Sequence, residues 1–275
     1  MASTSPSAPH AAAGNRVLAA FAQVRAQGRR ALLPFVTAGY PNLAATEALL
    51  PRLARAGGSI IEVGIPFSDP IADGPVTAES MHEALVAGCT PAKVFESVRR
   101  VRAQVPAALV AMVSDSIVDR MGTEAFTRAA AEAGFDGLIV PDIDLADAPR
   151  LRAACDAAGL ACTLLVAPTS GPERVQRIVA ECTGFVYALA RVGITGERSG
   201  TPDVAPIVQR IRAATTLPVA VGFGLSSAEQ VRAVLQHADG AIVGSAIVRT
   251  MRDAIAAGAD PVAEAEALVQ RLAAP

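Results

Sequence analysis

The sequence contains no tryptophan, only 4% aromatic residues and a single lysine, Lys93. Its apolar residues, 52% of 275, are therefore mostly alanine, valine, leucine and isoleucine, a composition typical of helices packed on strands. Lys93 lies in the amphipathic pattern PAKVFESVRRVRAQV, which predicts a helix. Imine chemistry needs a lysine amine that projects into the substrate pocket, so this placement argues against it.

Metal-binding and disulfide patterns are also missing. The four cysteines show no short paired spacing, and the three histidines, His10, His82 and His237, lie outside every predicted strand. No pattern of a signal peptide precedes the cysteines, and no apolar run approaches the roughly 18 residues that a membrane span needs. We therefore expect no metal, no membrane and a reducing cytoplasm.

Charge of one sign is not concentrated anywhere in the chain. The 24 basic and 26 acidic residues are interspersed and leave a net charge of -2, which argues against a nucleic-acid face or a polybasic membrane patch. Small molecules or proteins are the expected partners. The opening ASTSPSAPHAAAG predicts a disordered leader over residues 1–13, and residues 14–275 suit one α/β barrel domain.

Eight short β-branched runs alternate with alanine-rich helical patterns after a predicted helix at about residues 14–28. The runs span residues 31–37, 59–64, 108–114, 137–142, 161–167, 185–190, 217–224 and 240–246. The longest interval follows the second run and has room for an extra helix. Eight such units with right-handed crossovers predict a (β/α)8 TIM barrel with an extra N-terminal helix, and a doubly wound open sheet is the alternative.

A carboxylate interrupts the second predicted strand, in IEVGIPFSDPIADGP. Because side chains alternate along a strand, Glu62 shares a face with Ile60, and Ile61 and Val63 suit the helix-covered outside. Glu62 is therefore expected to point into the barrel. Loss of hydration raises the pKa of such a carboxyl towards neutrality, which makes it a competent general acid and base. The alternative is a buried glutamate paired with an arginine for structural reasons.

Acidic and glycine-rich loops follow several of the predicted strands, at the barrel end where active sites collect. Asp69 and Asp73 come after the second strand, and for each the ordinary role is a turn or a helix cap. GFGLSS and GSA follow strands seven and eight, the usual phosphate site of this fold, because glycine lets backbone amides approach an anion. RVGITGERSG, at 191–200, suits the same site or a mobile lid. A phosphomonoester is the expected substrate.

Five motifs, in this order and at these intervals, resemble the tryptophan synthase alpha subunit family. They are PFVTAGYP (34–41), EVGIPFSDPIADGP (62–75), FVYALARVGITG (185–196), GFGLSS (222–227) and GSAIV (244–248). The resemblance runs from about residue 15 to the end of the chain. It implies a carbon–carbon lyase of tryptophan biosynthesis that splits indole-3-glycerol phosphate into indole and glyceraldehyde 3-phosphate.

The resemblance also implies a role for individual residues. Glu62 matches the acid/base glutamate, and Asp73 matches an aspartate that binds the indole N–H. Pocket positions are matched by Phe35, Tyr187, Thr195 and Phe223; the phosphate cradle by Gly196, Gly224, Gly244 and Ser245; and a partner-facing surface by Asp142. The family implies no cofactor in this chain, and a pyridoxal-phosphate-bearing beta subunit as partner in an α2β2 tetramer.

Two segments depart from the family pattern. Ser114, Ser116 and Ile117 stand where the family usually has a tyrosine followed by Asn-Pro, and Ile143 and Asp144 stand where a leucine-proline pair is common. Both segments lie near the expected partner surface. A free-standing lyase that releases indole therefore remains an alternative. Two further hypotheses are a barrel without catalysis that serves as a regulatory partner, and a different phosphosugar enzyme such as an isomerase.

Overall fold

The computed structural model describes residues 15–69, 74–190, 202–222 and 224–274. Its strands are β1 Ala31–Thr37, β2 Ile60–Gly64, β3 Ala108–Met112, β4 Gly137–Ile139, β5 Ala161–Thr163, β6 Leu165–Val166, β7 Val186–Leu189, β8 Val219–Gly222 and β9 Gly240–Val243. Its helices are α1 Arg16–Ala26, α2 Leu43–Arg55, α3 Pro75–Val86, α4 Pro91–Val101, α5 Asp115–Met121, α6 Thr123–Ala133, α7 Ala148–Ala158, α8 Pro172–Ala180, α9 Ala205–Arg212, α10 Ala228–Leu235, α11 Ser245–Ala256 and α12 Pro261–Ala273.

Two predictions about the ends of the chain fall partly or wholly outside these ranges. The expected leader, residues 1–13, lies outside the described residues. The assignment of residues 14–275 to a single domain stays a prediction. Among the described helices, none combines the length and the apolar character that a membrane-spanning segment requires.

All the strand pairs are parallel and follow the order β5-β4-β3-β2-β1-β9-β8-β7-β6. The fifth predicted run forms two short strands, because β5 pairs with β4 while β6 pairs with β7. Backbone hydrogen bonds cross this seam, from Thr183 N to Cys162 O at 2.8 Å and from Tyr187 N to Leu164 O at 3.1 Å. The sheet therefore curls almost completely round, and the predicted (β/α)8 barrel is confirmed.

Alternation along the strands sorts the core into an inner and an outer layer. Ile60 packs with Leu33 and Val110 in a cluster inside the barrel. Ile61 and Val63 belong to the larger cluster between the strands and the surrounding helices. The phase of β2 is thus the one that its sequence predicts, with the even-numbered residues directed inwards.

Helix α1 closes the amino-terminal end of the barrel. Asn15 begins the helix by accepting a hydrogen bond from the amide of Leu18. Val17, Phe21 and Val24 then join the inner cluster, and the Phe21 ring lies 5.7 Å from that of Phe185, measured between centroids. The predicted extra N-terminal helix is therefore present and fills one end of the barrel with apolar side chains.

The long interval after β2 contains two helices, α3 and α4, each with proline at its first position. Helix α4 packs against α2 and α6 in the outer layer, whereas α3 contacts β1 and α11. The extra helix expected in this interval is confirmed. Helix α3 begins at Pro75, shortly after β2, so its first turn lies at the same end of the barrel as the carboxyl end of β2.

Several strands end earlier than the apolar runs that predict them. β3 ends at Met112, β4 at Ile139 and β9 at Val243, and Ser245 already begins α11. Val113 and Val140, which follow β3 and β4, are nonetheless buried. Buried apolar residues thus continue beyond the last hydrogen-bonded residue of a strand, so the end of an apolar run does not predict where the strand ends.

Asp136, which immediately precedes β4, allows a prediction about the stability of the fold. It accepts a 2.8 Å hydrogen bond from the Leu109 amide and a 2.9 Å bond from Arg102, and both side chains are largely buried. Burial lowers the pKa of Arg102, and Asp136 opposes that effect. Since Asp136→Ala strands a buried cation, it should lower the free energy of unfolding by about 2–3 kcal/mol in urea titrations.

The matched control is Asp119→Ala, which removes a pair with Arg150 in which both side chains are about half exposed, at 52% and 50%. This variant should unfold close to the wild type, because exposed ion pairs contribute little. Equal stability of the two variants would contradict the structural role of Asp136.

Candidate active site

The side chain of Glu62 lies inside the barrel with no exposed surface. It alternates with Ile61 and Val63, which belong to the outer layer, so it points inwards. Neither Oε1 nor Oε2 has a hydrogen-bond partner within the part of the chain that the structure describes. Burial alone raises the pKa of Glu62 from 4.5 to about 8. A carboxyl in this setting is neutral at pH 7 and can both give and take a proton near that pH.

Phe35 lies beside Glu62 at the carboxyl ends of the strands. The two residues are paired in register between β1 and β2, and Phe35 is only 5% exposed. A methyl group at Gly64 would lie 2.6 Å from the Phe35 ring, and one at Gly244 would lie 3.2 Å from it. Glycine at these two strand ends therefore leaves the space that the ring occupies.

Tyr187 holds the corresponding position on the other side of the barrel. It belongs to the inner cluster and is 4% exposed. A methyl group at Gly222, the last residue of β8, would overlap the phenol ring. An aromatic side chain and a glycine thus pack together on β7 and β8, as they do on β1 and β2.

Three further apolar residues line this mouth and were not predicted. Met112, Leu165 and Leu189 are partly exposed and pack against the inner cluster, at or near the ends of β3, β6 and β7. Glu62 pairs with Val110, which fixes Met112 two residues further along the same face of β3. The register of neighbouring strands is the signal that could have identified this wall, and a single sequence does not give it.

Glycines lie at or just after the ends of β8 and β9, at Gly222, Gly224 and Gly244. Gly224 has a φ of +81°, a conformation that favours glycine. Gly244 caps α11, and Ser245, 8% exposed, is its first residue. The first turn of a helix has amide hydrogens without partners inside the helix and carries the positive end of its dipole. This arrangement suits an anionic group such as a phosphate.

Several of the predicted site residues cannot be compared with the structure. Asp73, Thr195, Gly196 and Phe223 lie outside the described residues, as does the glycine-rich segment 191–200. Asp69 is described and exposed. No group of three or more His, Cys, Asp or Glu side chains able to hold a metal ion occurs in the described ranges.

Asp142 lies in the loop after β4, where both of its carboxylate oxygens are occupied by the neighbouring loop. Oδ2 accepts a 2.7 Å hydrogen bond from the Ser114 hydroxyl, and Oδ1 accepts a 2.9 Å bond from the Asp115 amide. Asp115 is the first residue of α5, so Asp142 caps this helix from another loop. The segment that departs from the family pattern is therefore a short helix fastened to the loop after β4.

A (β/α)8 barrel whose mouth combines a buried, protonatable carboxyl with apolar side chains and a helix start is typical of an enzyme that uses acid/base chemistry. The family model for the tryptophan synthase alpha chain matches residues 21–274. The chain belongs to the tryptophan synthase alpha chain family, whose members are lyases.

Individual relatives agree with the family match. The tryptophan synthase alpha chain of Geobacter sulfurreducens is 43% identical over 238 residues, which cover 86% of this chain and 89% of that protein. The alpha chain of Prochlorococcus marinus is 45% identical over 233 residues, covering 84% and 85%. These relatives favour the alpha-chain role over a free-standing lyase.

Solved structures share the fold over nearly the whole chain. A structure of Mycobacterium tuberculosis tryptophan synthase superposes with a TM-score of 0.86 at 37% identity and covers 94% of this chain and 96% of that one. Tryptophan synthase subunit alpha from Legionella pneumophila gives a TM-score of 0.87 at 30% identity, covering 95% and 98%.

The raised pKa of Glu62 predicts a dependence of stability on pH. Between pH 4.5 and pH 8 the unfolded chain releases the Glu62 proton while the folded chain keeps it, so folding becomes less favourable as the pH rises. This cost reaches about 3 kcal/mol at pH 7. Glu62→Gln removes it, so the stability of the variant relative to the wild type should increase from pH 5 to pH 8, measured by urea unfolding at each pH.

Glu264→Gln is the control variant, because it also removes one carboxyl but at an exposed position on α12. Its stability relative to the wild type should not change over this pH range. A Glu62→Gln curve that runs parallel to the wild type at all pH values would show that Glu62 does not titrate as its burial requires.

Proposed function

We propose that this chain cleaves indole-3-glycerol phosphate to indole and glyceraldehyde 3-phosphate as the alpha subunit of a tryptophan synthase, with Glu62 as its general acid and base. The observation that carries the role of Glu62 is its fully buried carboxyl at the barrel mouth, with a pKa of about 8. The membership of the chain in this family provides the reaction.

The reaction is a retro-aldol cleavage in which two protons move. Neutral Glu62 donates a proton to C3 of the indole ring, which gives an indolenine cation. The hydroxyl on the adjoining side-chain carbon then loses its proton to the Glu62 carboxylate that the first step leaves. That carbon becomes the aldehyde carbon, and the electron pair of the broken carbon–carbon bond returns to the ring. A glutamate whose pKa lies near the working pH is suited to both transfers, because neither protonation state is strongly favoured.

The walls of the mouth suit the indole ring. Phe35, Tyr187, Met112, Leu165 and Leu189 form an apolar surface around Glu62 that excludes water from the proton transfers. We assign the ring N–H to Asp73, whose negative charge would stabilise the cation as it develops. Thr195 and Phe223 complete this pocket in our proposal, on the basis of the resemblance of the sequence motifs.

The phosphate is assigned to the opposite rim. Gly224 and Gly244 bring backbone amides close to the ligand, and the first turn of α11 at Ser245 adds unpaired amide hydrogens and the helix dipole. Gly196 joins this set from the segment after β7. The substrate would therefore lie across the mouth, with its ring near Glu62 and its phosphate at β8 and β9.

Glu62→Gln tests the central role. The amide keeps the size of the side chain but cannot transfer the proton, so turnover should fall by at least about 10²-fold while ligand binding is retained. The measurement is indole formation from indole-3-glycerol phosphate, with and without a beta subunit. Glu264→Gln is the control and should keep full turnover. Near-normal indole formation by Glu62→Gln would remove Glu62 from the mechanism.

A beta subunit is the proposed partner, since one of the solved structures that this chain resembles is described as tryptophan synthase. In this proposal the partner carries pyridoxal phosphate, the assembly is an α2β2 tetramer and this chain needs no cofactor of its own. Asp142 belongs to the contact surface because it fixes α5 to the loop after β4. Its carboxylate would act by holding the shape of this surface.

Asp142→Ala should weaken binding of the beta subunit by about tenfold or more, because α5 loses its cap and the Ser114 hydroxyl loses its acceptor. Isothermal titration of the beta subunit measures the effect. Asp142→Asn keeps an acceptor for the Asp115 amide and should bind more tightly than Asp142→Ala. Wild-type affinity in Asp142→Ala would exclude this residue from the contact surface.

The compartment that we propose is the cytoplasm. All four cysteines are free thiols in buried positions, which is consistent with a reducing environment.

A further inference from the structure

The amino-terminal end of the barrel, opposite the mouth, concentrates arginines around one carboxylate. Arg25 lies in the last turn of α1, Arg29 and Arg30 lie between α1 and β1, and Arg212 ends α9. Asp239, which precedes β9, lies 3.7 Å from Arg25, 3.2 Å from Arg30 and 3.2 Å from Arg212. Three cations thus share a single anionic side chain.

The carboxylate of Asp239 has little capacity left for a further cation. Besides the three arginines it accepts a 3.0 Å hydrogen bond from the Val219 amide, and its side chain is only 13% exposed. Arg29 is exposed, and although its backbone amide donates to Val24 O, its guanidinium group makes no hydrogen bond or ion pair with any residue in the described ranges. Four guanidinium groups against one carboxylate leave a local excess of three positive charges.

Two cavities open beside these arginines. One, of about 210 Å³, is lined by Arg25, Arg29 and Arg30 together with Asp239 and Thr216. The other, of about 420 Å³, lies along α1, shares Arg29, and is lined by polar groups that include Gln27 and Ser59. The smaller cavity is therefore a recess with three arginines among its lining residues, and a small anion has room to enter.

Neither cavity belongs to the proposed active site. Both lie at the strand starts, where α1 fills the barrel, whereas Glu62 and the amides of β8 and β9 face the other end. Active sites of this fold lie at the carboxyl ends of the strands. An anion bound among the arginines would therefore be separate from the substrate.

We propose that the recess between Arg25, Arg29 and Arg30 binds a small, multiply charged oxyanion, namely a phosphate group. Guanidinium groups are planar and weakly hydrated, and they bind phosphate oxygens through paired, charge-assisted hydrogen bonds. Arg29 provides the charge that no residue of the described chain balances. The bound anion connects the end of α1 to the segment that leads into β1.

Occupation of this site stabilises the fold through mass action, because the unfolded chain has no such arrangement of arginines. A site of this kind lets the concentration of free phosphate, or of a phosphate ester, set the stability of the amino-terminal end of the barrel whether or not the mouth is occupied. The proposal does not depend on the function proposed above.

Calorimetric titration with inorganic phosphate at constant ionic strength tests the proposal. The titration uses the Gly224→Asp background, in which a carboxylate opposes phosphate at the mouth. Binding should persist there and should weaken by about tenfold or more when Arg29→Ala is added, since a charge-assisted contact is lost. Arg128→Ala, at another exposed arginine far from both cavities in sequence and lining neither, should leave binding unchanged. Loss of all binding in Gly224→Asp, or equal binding with and without Arg29, would overturn the proposal.

Arginine modification in the wild-type chain gives a second measurement that does not rely on the folding of any variant. Phosphate should slow the reaction of phenylglyoxal with Arg29, followed by mass spectrometry, and should leave Arg128 unaffected. An unchanged rate at Arg29 would overturn the proposal. Glycerol 2-phosphate in a parallel titration separates the sources of the ligand: binding at least as tight as that of inorganic phosphate assigns the site to esters, and weaker binding assigns it to the free ion.

Discussion

The exclusion of water from one carboxyl group is the constraint on which the site depends. Glu62 has no exposed surface and no hydrogen-bond partner in the described chain, so its charged form is disfavoured and its pKa rises to about 8. The same burial that makes this residue a useful acid and base destabilises the fold at neutral pH. The burial of apolar side chains in the inner and outer layers of the barrel offsets that cost. A smaller or more loosely packed core would allow water to reach the carboxyl.

The sequence alone predicts the position of Glu62 because two simple regularities agree. A strand alternates between two faces, and Ile61 and Val63 identify the outer face of β2, so the direction of Glu62 follows. The repetition of strand and helix patterns then predicts the closed barrel and the end at which chemistry occurs. Both inferences use only local periodicity and the topology that it implies, which is why they agree with the structure.

Features that depend on contacts between distant segments were not predictable in this way. Met112 and Leu189 have the pattern of ordinary core residues, and only the register of neighbouring strands places them at the mouth. The seam that divides the fifth predicted strand at Leu164 depends on how the barrel closes. The capping of α5 by Asp142 joins two loops that are 27 residues apart, and no local signal in either loop indicates it.

The two ends of the barrel are stabilised by different forces. At the amino-terminal end, Asp136 and Asp239 occupy equivalent places: each precedes a strand, accepts an amide from the start of the strand before it, at Leu109 or Val219, and pairs with an arginine of α1. These charges fasten α1 to both halves of the sheet. The opposite end, where glycines lie at the ends of β8 and β9, is the one that we assign to the substrate. Arg29 lines the same cavity as Asp239 but forms no ion pair in the described chain, so it takes no part in holding α1 to the sheet, which agrees with the anion site that we propose.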